Sequence, residues 1–106
     1  MTPHQSARDR DLDPAERWLI VDGRRWRRTD PMLDAETVAS LRSQLGRGRA
    51  AVKSAKAADD DAALEQARRR VQLAKLGLGE RGPYWWDRPV AERREQARHA
   101  LDLLHR

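Results

Sequence analysis

A chain of 106 residues with 22 Lys or Arg against 17 Asp or Glu carries a net charge of +5, and a chain this short has room for one modest core. It has no cysteine, which excludes disulfide bracing and thiolate metal centres and fits a reducing compartment. Its longest apolar run, Trp18–Val21, is far below a membrane span, so the expectation is a cytoplasmic protein whose basic charge suits an anionic partner, most simply nucleic acid.

Residues 1–16 mix Pro, Asp, Arg and Ser without periodicity or an apolar signal-peptide core, and read as a disordered tail. A single domain is expected over 17–106. Arg17–Val21 and Arg24–Arg28 read as two strands around Asp22-Gly23, the dipeptide that favours a two-residue hairpin turn. That turn sets Val21 opposite Arg24, Ile20 opposite Arg25, Leu19 opposite Trp26 and Trp18 opposite Arg27. Leu19, Val21 and Trp26 form the expected core face. Trp18, Ile20, Arg25 and Arg27 form the expected outer face.

Thr29-Asp30-Pro31 ends the hairpin, and Asp34 is placed to cap a helix. Small or apolar residues then recur at 38, 41, 45, 48, 52 and 55, the three-four spacing of a helix seam. Gly46 and Gly48 weaken that helix by about 1 kcal/mol each, which implies close approach of another element. Asp59-Asp60-Asp61 breaks the pattern. A second seam follows at Leu64, Ala67, Val71, Ala74 and Leu78. Two helices joined so tightly must be antiparallel neighbours. Gly79–Pro83 stops the second helix. After Tyr84-Trp85-Trp86, Pro89 opens a third with a stripe at Val90, Ala97, Leu101 and Leu104. The fold class expected is α+β, mainly helical: a β-hairpin, an antiparallel helical hairpin and a C-terminal helix in ββααα order.

The segments R-W-L-I-V-D-G-R-R-W-R at 17–27, Asp30-Pro31, and R-V-Q-L-A-K-L-G-L-G-E-R-G-P-Y-W-W at 70–86 carry a resemblance. From about residue 17 to the C-terminus the chain resembles a family of small, mostly actinobacterial proteins that often bear the label "biopolymer transporter Tol". The family has no established activity, so the resemblance implies no catalytic or binding residues. A Tol-type transport role would need a membrane anchor or export, for which the sequence offers neither span nor signal.

No catalytic constellation is legible. His4, His99 and His105 share no face, and there is no nucleophile elbow or phosphate loop. The expectation is a binding protein without enzymatic activity, cofactor, metal or small-molecule substrate. Asp59–Asp61 could hold a hard cation, or form the acidic tip of an RNA polymerase-associated factor; the plainer reading is helix capping. Arg24, Arg25, Arg27 and Arg28 on the hairpin are candidate nucleic-acid contacts. So are Arg47, Arg49 and Lys53 on the first long helix and Arg68 and Arg69 on the second, where the helical hairpin gathers them into a basic belt. With no Phe in the chain, Trp26 and at least one of Trp85 and Trp86 are expected in the core. An exposed Trp18 or Trp85 would mark a partner-binding aromatic. The alternative to nucleic acid is a protein partner, including a second copy of the chain as a homodimer.

Overall fold

Both turn residues of the hairpin, Asp22 and Gly23, take positive φ, 52° and 76°, as a two-residue hairpin turn requires. β1 (Trp18–Val21) and β2 (Arg24–Arg27) pair antiparallel in the register that the turn predicts, from Trp18 opposite Arg27 to Val21 opposite Arg24. The structure is a computed structural model and describes residues 14–106. The tail expected over 1–16 lies outside the described residues as far as residue 13. Pro14–Arg17 form one helical turn, α1, that leads into β1, so Pro14–Glu16 are helical where a tail was expected and Arg17 belongs to this turn, not to the strand.

α2 (Ala35–Ala57) and α3 (Asp61–Gly77) make the helical hairpin. Leu41, Leu45, Gly48 and Ala55 are buried on α2, and Ala67 and Ala74 on α3, so the three-four seams face each other. At Gly48 a β-carbon would stand 2.9 Å from Val71 Cγ2 and 3.2 Å from the Val71 amide nitrogen. Glycine there lets the helix backbones approach. Gly46 differs from expectation: it is exposed, with nothing within 4 Å of where its β-carbon would be.

The aspartate turn closes one helix and caps the next. Asp59 takes the left-handed conformation, φ 51°, which short polar side chains tolerate. The amides of Asp59 and Asp60 close α2 by donating to the carbonyls of Lys56 and Ala55 at 3.2 and 3.0 Å. Asp60 then caps α3, its carboxylate accepting from the Ala63 amide at 3.0 Å. Asp34 stands at the start of α2 but its side chain makes no capping bond; its carbonyl accepts from the Val38 amide.

α3 ends by the same device with glycine: Gly79 has φ 80°, and Glu80 N donates to Lys75 O at 2.9 Å. After a 3-10 turn (Trp85–Asp87), α4 (Val90–Leu104) packs on the base of the helical hairpin. Leu33, Leu41, Leu45, Ala74, Leu78, Ala97, Ala100 and Leu104 form the core there. The last turn of α4 reaches Arg70, whose Nη1 lies 3.4 Å from both Gln44 Oε1 and Leu104 O. Beyond that level α2 and α3 run on to the aspartate turn without a third helix. The whole is the expected mainly helical ββααα arrangement. Among the described residues no helix is long and apolar enough to cross a membrane.

One core contact has no counterpart in the sequence reading. Asp30 and Arg93 are both buried, and Arg93 Nε and Nη2 donate to the two Asp30 carboxylate oxygens at 2.8 and 2.7 Å. Asp30 also accepts from the Met32 amide, and its own amide donates to Leu78 O, both at 2.9 Å. Arg93 Nη1 donates to Arg88 O at 3.1 Å. The pair therefore ties the exit of β2, the end of α3 and the start of α4 together.

Candidate functional site

The sheltered part of the hairpin lies on the opposite face from the one expected: Trp18 and Arg27 are half-buried there, while Ile20 and Arg25 on that face stay exposed. Trp18 packs edge-on against Trp86 at 5.4 Å and Tyr84 at 5.8 Å. Arg27 is half-buried, and its Nη1 donates to the carbonyls of Gly79, Gly82 and Pro83 at 3.0–3.2 Å. Its guanidinium also stands 4.6 Å from the Tyr84 ring centroid. The expected core face is left open: Leu19, Val21 and Trp26 are 43%, 45% and 41% exposed. The cause lies in the Gly79–Trp86 loop. Its glycine-rich turn presents carbonyls that need donors, and its stacked Tyr84 and Trp86 rings, 4.6 Å apart, offer an aromatic shelf. Arg27 supplies the donor and Trp18 the aromatic edge.

The open face forms one wall of a cleft of about 610 Å³ between the β-hairpin and the two long helices. Leu19, Val21 and Trp26 line the hairpin side. Five cations surround them (Arg27, Arg28, Arg42, Arg49 and Lys75), with Glu80 as the one carboxylate. Glu80 is already engaged, accepting from Thr29 Oγ1 at 2.7 Å. A second hollow of about 450 Å³ adjoins along the helices, lined by Arg49, Val52, Arg68, Val71, Gln72 and Arg81. Arg49 belongs to both, so the basic surface is continuous.

Trp26 is the aromatic of this site. Arg24 and Lys75 approach its ring at 5.0 and 5.4 Å from the centroid. Burial against the hairpin, reinforced by the nearby positive charges of Arg81 and Arg49, pulls the Lys75 ammonium below the ordinary lysine range, while Glu80 opposes the shift. An anion in the cleft would add to the partial compensation that Glu80 gives Lys75.

Of the expected nucleic-acid contacts, Arg28, Arg49 and Arg68 line this surface. The Arg28 Nε is held by the Ala15 carbonyl at 2.7 Å. Arg24 stands over Trp26, and Arg25 stands over Trp18 at 4.0 Å on the other face of the hairpin. Arg27 borders the cleft but is committed to the loop carbonyls. Lys53 is exposed one turn beyond Arg49. Arg47 lies about 200° around α2 from Arg49, and Arg69 about 100° around α3 from Arg68; both are exposed away from the cleft flank. The aromatic assignments need correction. Trp85 is 1% exposed and its Nε1 donates to Arg28 O at 3.0 Å, so it is a core residue and no partner contact. Trp18 is half-buried on the aromatic shelf.

Arg42 and Arg81 were absent from the expected set, yet a signal existed for the helical cations. Arg42 and Arg49 are seven apart on α2, and Arg68 and Lys75 are seven apart on α3, which places each pair on one helix flank. Among the described residues no group of three or more His, Asp or Glu is placed to hold a metal ion. No family model matches the chain, and no curated protein or solved structure matches it.

Proposed function

We propose that the protein is a non-enzymatic, nucleic-acid-associated binding protein, with phosphate contacts made by the cations of the cleft. The observation that carries this reading is the charge ratio of the cleft that the exposed Trp26 lines: five cations, of which Arg27 is committed to loop carbonyls, against one engaged carboxylate. Arginine offers bidentate donors to phosphate, and a concave cationic surface concentrates polyanions. The family resemblance implies no activity and lends no support either way.

Binding is expected to be steeply dependent on salt. Four phosphate contacts give a slope of about −3 to −4 in log K against log salt. Arg42→Ala and Arg49→Ala each reduce that slope by about 1 while leaving the fold intact. Affinity also falls as pH rises towards the ordinary lysine value of about 10.4, because burial and the nearby Arg81 and Arg49 charges make Lys75 lose its proton early. Titration of a labelled oligonucleotide, with polyglutamate of equal charge as control, measures all three. No binding at about 50 mM salt, a flat salt slope, or equal affinity for polyglutamate would falsify the reading.

A second reading rests on the hairpin's apolar exposure. Ile20 is 68% exposed on the shelf-side face, and among the described residues both edges of the two-stranded sheet are unpaired, a surface that suits a protein partner or a second copy of the chain. Sedimentation at high concentration tests the homodimer form; a strict monomer removes it.

A further inference from the structure

We infer that the cleft is built for an unpaired nucleic-acid strand, with one base stacked on Trp26. This rests on the nucleic-acid reading above and narrows it to strand state. A ring inside a cationic concavity can meet the face of a base only if that base is out of a duplex stack. Trp26 is such a ring. It is 41% exposed, on the wall of a cleft whose opposite side carries Arg42, Arg49 and Lys75. A double helix presents phosphates and groove edges to a surface, and has no base face to offer.

The layout of charge fits a single backbone. Arg42 and Arg49 stand two turns apart on α2, about 10 Å along its axis. Arg49 then joins the first hollow to the second, where Arg68 and Arg81 continue the line. The cations thus follow one track along the helical pair, beginning beside the indole. Arg24 and Lys75, placed over the ring at 5.0 and 5.4 Å, exchange the indole for the neighbouring phosphates when the base stacks. Leu19 and Val21 supply the apolar edge against which the sugar and base rest.

The test compares single strands and a duplex of about twelve nucleotides, within the usual site size for such surfaces. Oligo-uridylate and oligo-deoxythymidylate are the single-strand arms, and the tighter of the two identifies the sugar. The expected result is at least tenfold tighter binding of a single strand than of the duplex at equal salt. Trp26→Leu should cost the single strand about tenfold, leaving duplex affinity and the salt slope unchanged, and Trp26→Phe should retain most of the affinity. Photocrosslinking of the wild-type chain to a bromouridine-containing strand should mark Trp26, which keeps the test independent of how the variants fold. Duplex binding equal to single-strand binding, a Trp26→Leu effect below twofold, or crosslinks confined to other residues would overturn the single-strand inference while the nucleic-acid reading stands. Failure of every oligonucleotide to bind overturns both.

Discussion

Two glycines one position apart from a shared neighbour show how a single methyl group can act in opposite directions. Gly46 and Gly48 both lower the helix propensity of α2, by about 1 kcal/mol relative to alanine. At Gly46 nothing occupies the space a methyl would enter, so Gly46→Ala should stabilise the protein by up to about 1 kcal/mol. At Gly48 the methyl would meet Val71 Cγ2 and the Val71 amide nitrogen at 2.9 and 3.2 Å. Backbone has little room to yield, so Gly48→Ala should cost about 1–3 kcal/mol by overpacking. Urea unfolding of the two variants gives the comparison, and equal signs for the two would contradict the helix contact described. The aspartates follow the same logic of position. Asp59 supports a left-handed turn and Asp60 a cap, so their acidity is explained by local geometry before any ligand is invoked.

Among the elements, the β-hairpin is where the reading of the sequence and the structure part. Register and turn were legible because Asp22-Gly23 and the alternating residues fix them locally; the strands stop one residue short of the expected Arg17 and Arg28. Which face turns inward was not legible, since it depends on a loop more than fifty positions away. Counting large apolar residues favours burying Leu19, Val21 and Trp26. In the structure Trp18 and Arg27 are half-buried instead, docked on the Tyr84–Trp86 shelf and the Gly79–Pro83 carbonyls. The helical seams were legible for the converse reason: period and pairing are intrinsic to 38–55 and 64–78. The cleft cations were legible in part, as a belt; only the heptad pairs Arg42/Arg49 and Arg68/Lys75 indicate which flank they share. Two variants check the docking face. Arg27→Ala should destabilise by about 1–3 kcal/mol, through loss of charge-assisted bonds to loop carbonyls. Arg25→Ala, which removes only an exposed contact over Trp18, should cost no more than about 1 kcal/mol. Thermal unfolding distinguishes them, and an Arg27→Ala variant as stable as the parent would return the hairpin to the opposite orientation.

On the scale of the whole molecule, cohesion converges on Asp30 and Arg93. The Cα envelope is a slab of 50 × 35 × 20 Å, with α4 at the base of the helical hairpin and the β-hairpin joined to it through the aromatic loop. The buried pair sits where these parts meet, beside Trp85, whose ring lies 5.3 Å from the Arg93 guanidinium. Removing one partner strands the other without solvent, so Arg93→Met should cost about 3–5 kcal/mol, a large share of the roughly 5–15 kcal/mol that holds a domain together. Adding Asp30→Asn to that variant should recover part of the loss, because no full charge is then left uncompensated. Denaturant midpoints of the single and double variants measure this, and a single-variant cost under about 1 kcal/mol would mean the pair is not the junction it resembles. The far end of the helical hairpin has no such junction. Past the level of Arg70 only Ala55 and Ala67 are fully buried, with Val52 and Leu64 half-buried, and alanine covers little area per residue. Amide hydrogens there should consequently trade with solvent by local opening of the tip, at a free energy well below that of global unfolding. The protein is thus graded in cohesion along its length, firm where the cleft is formed and pliant at its acidic end.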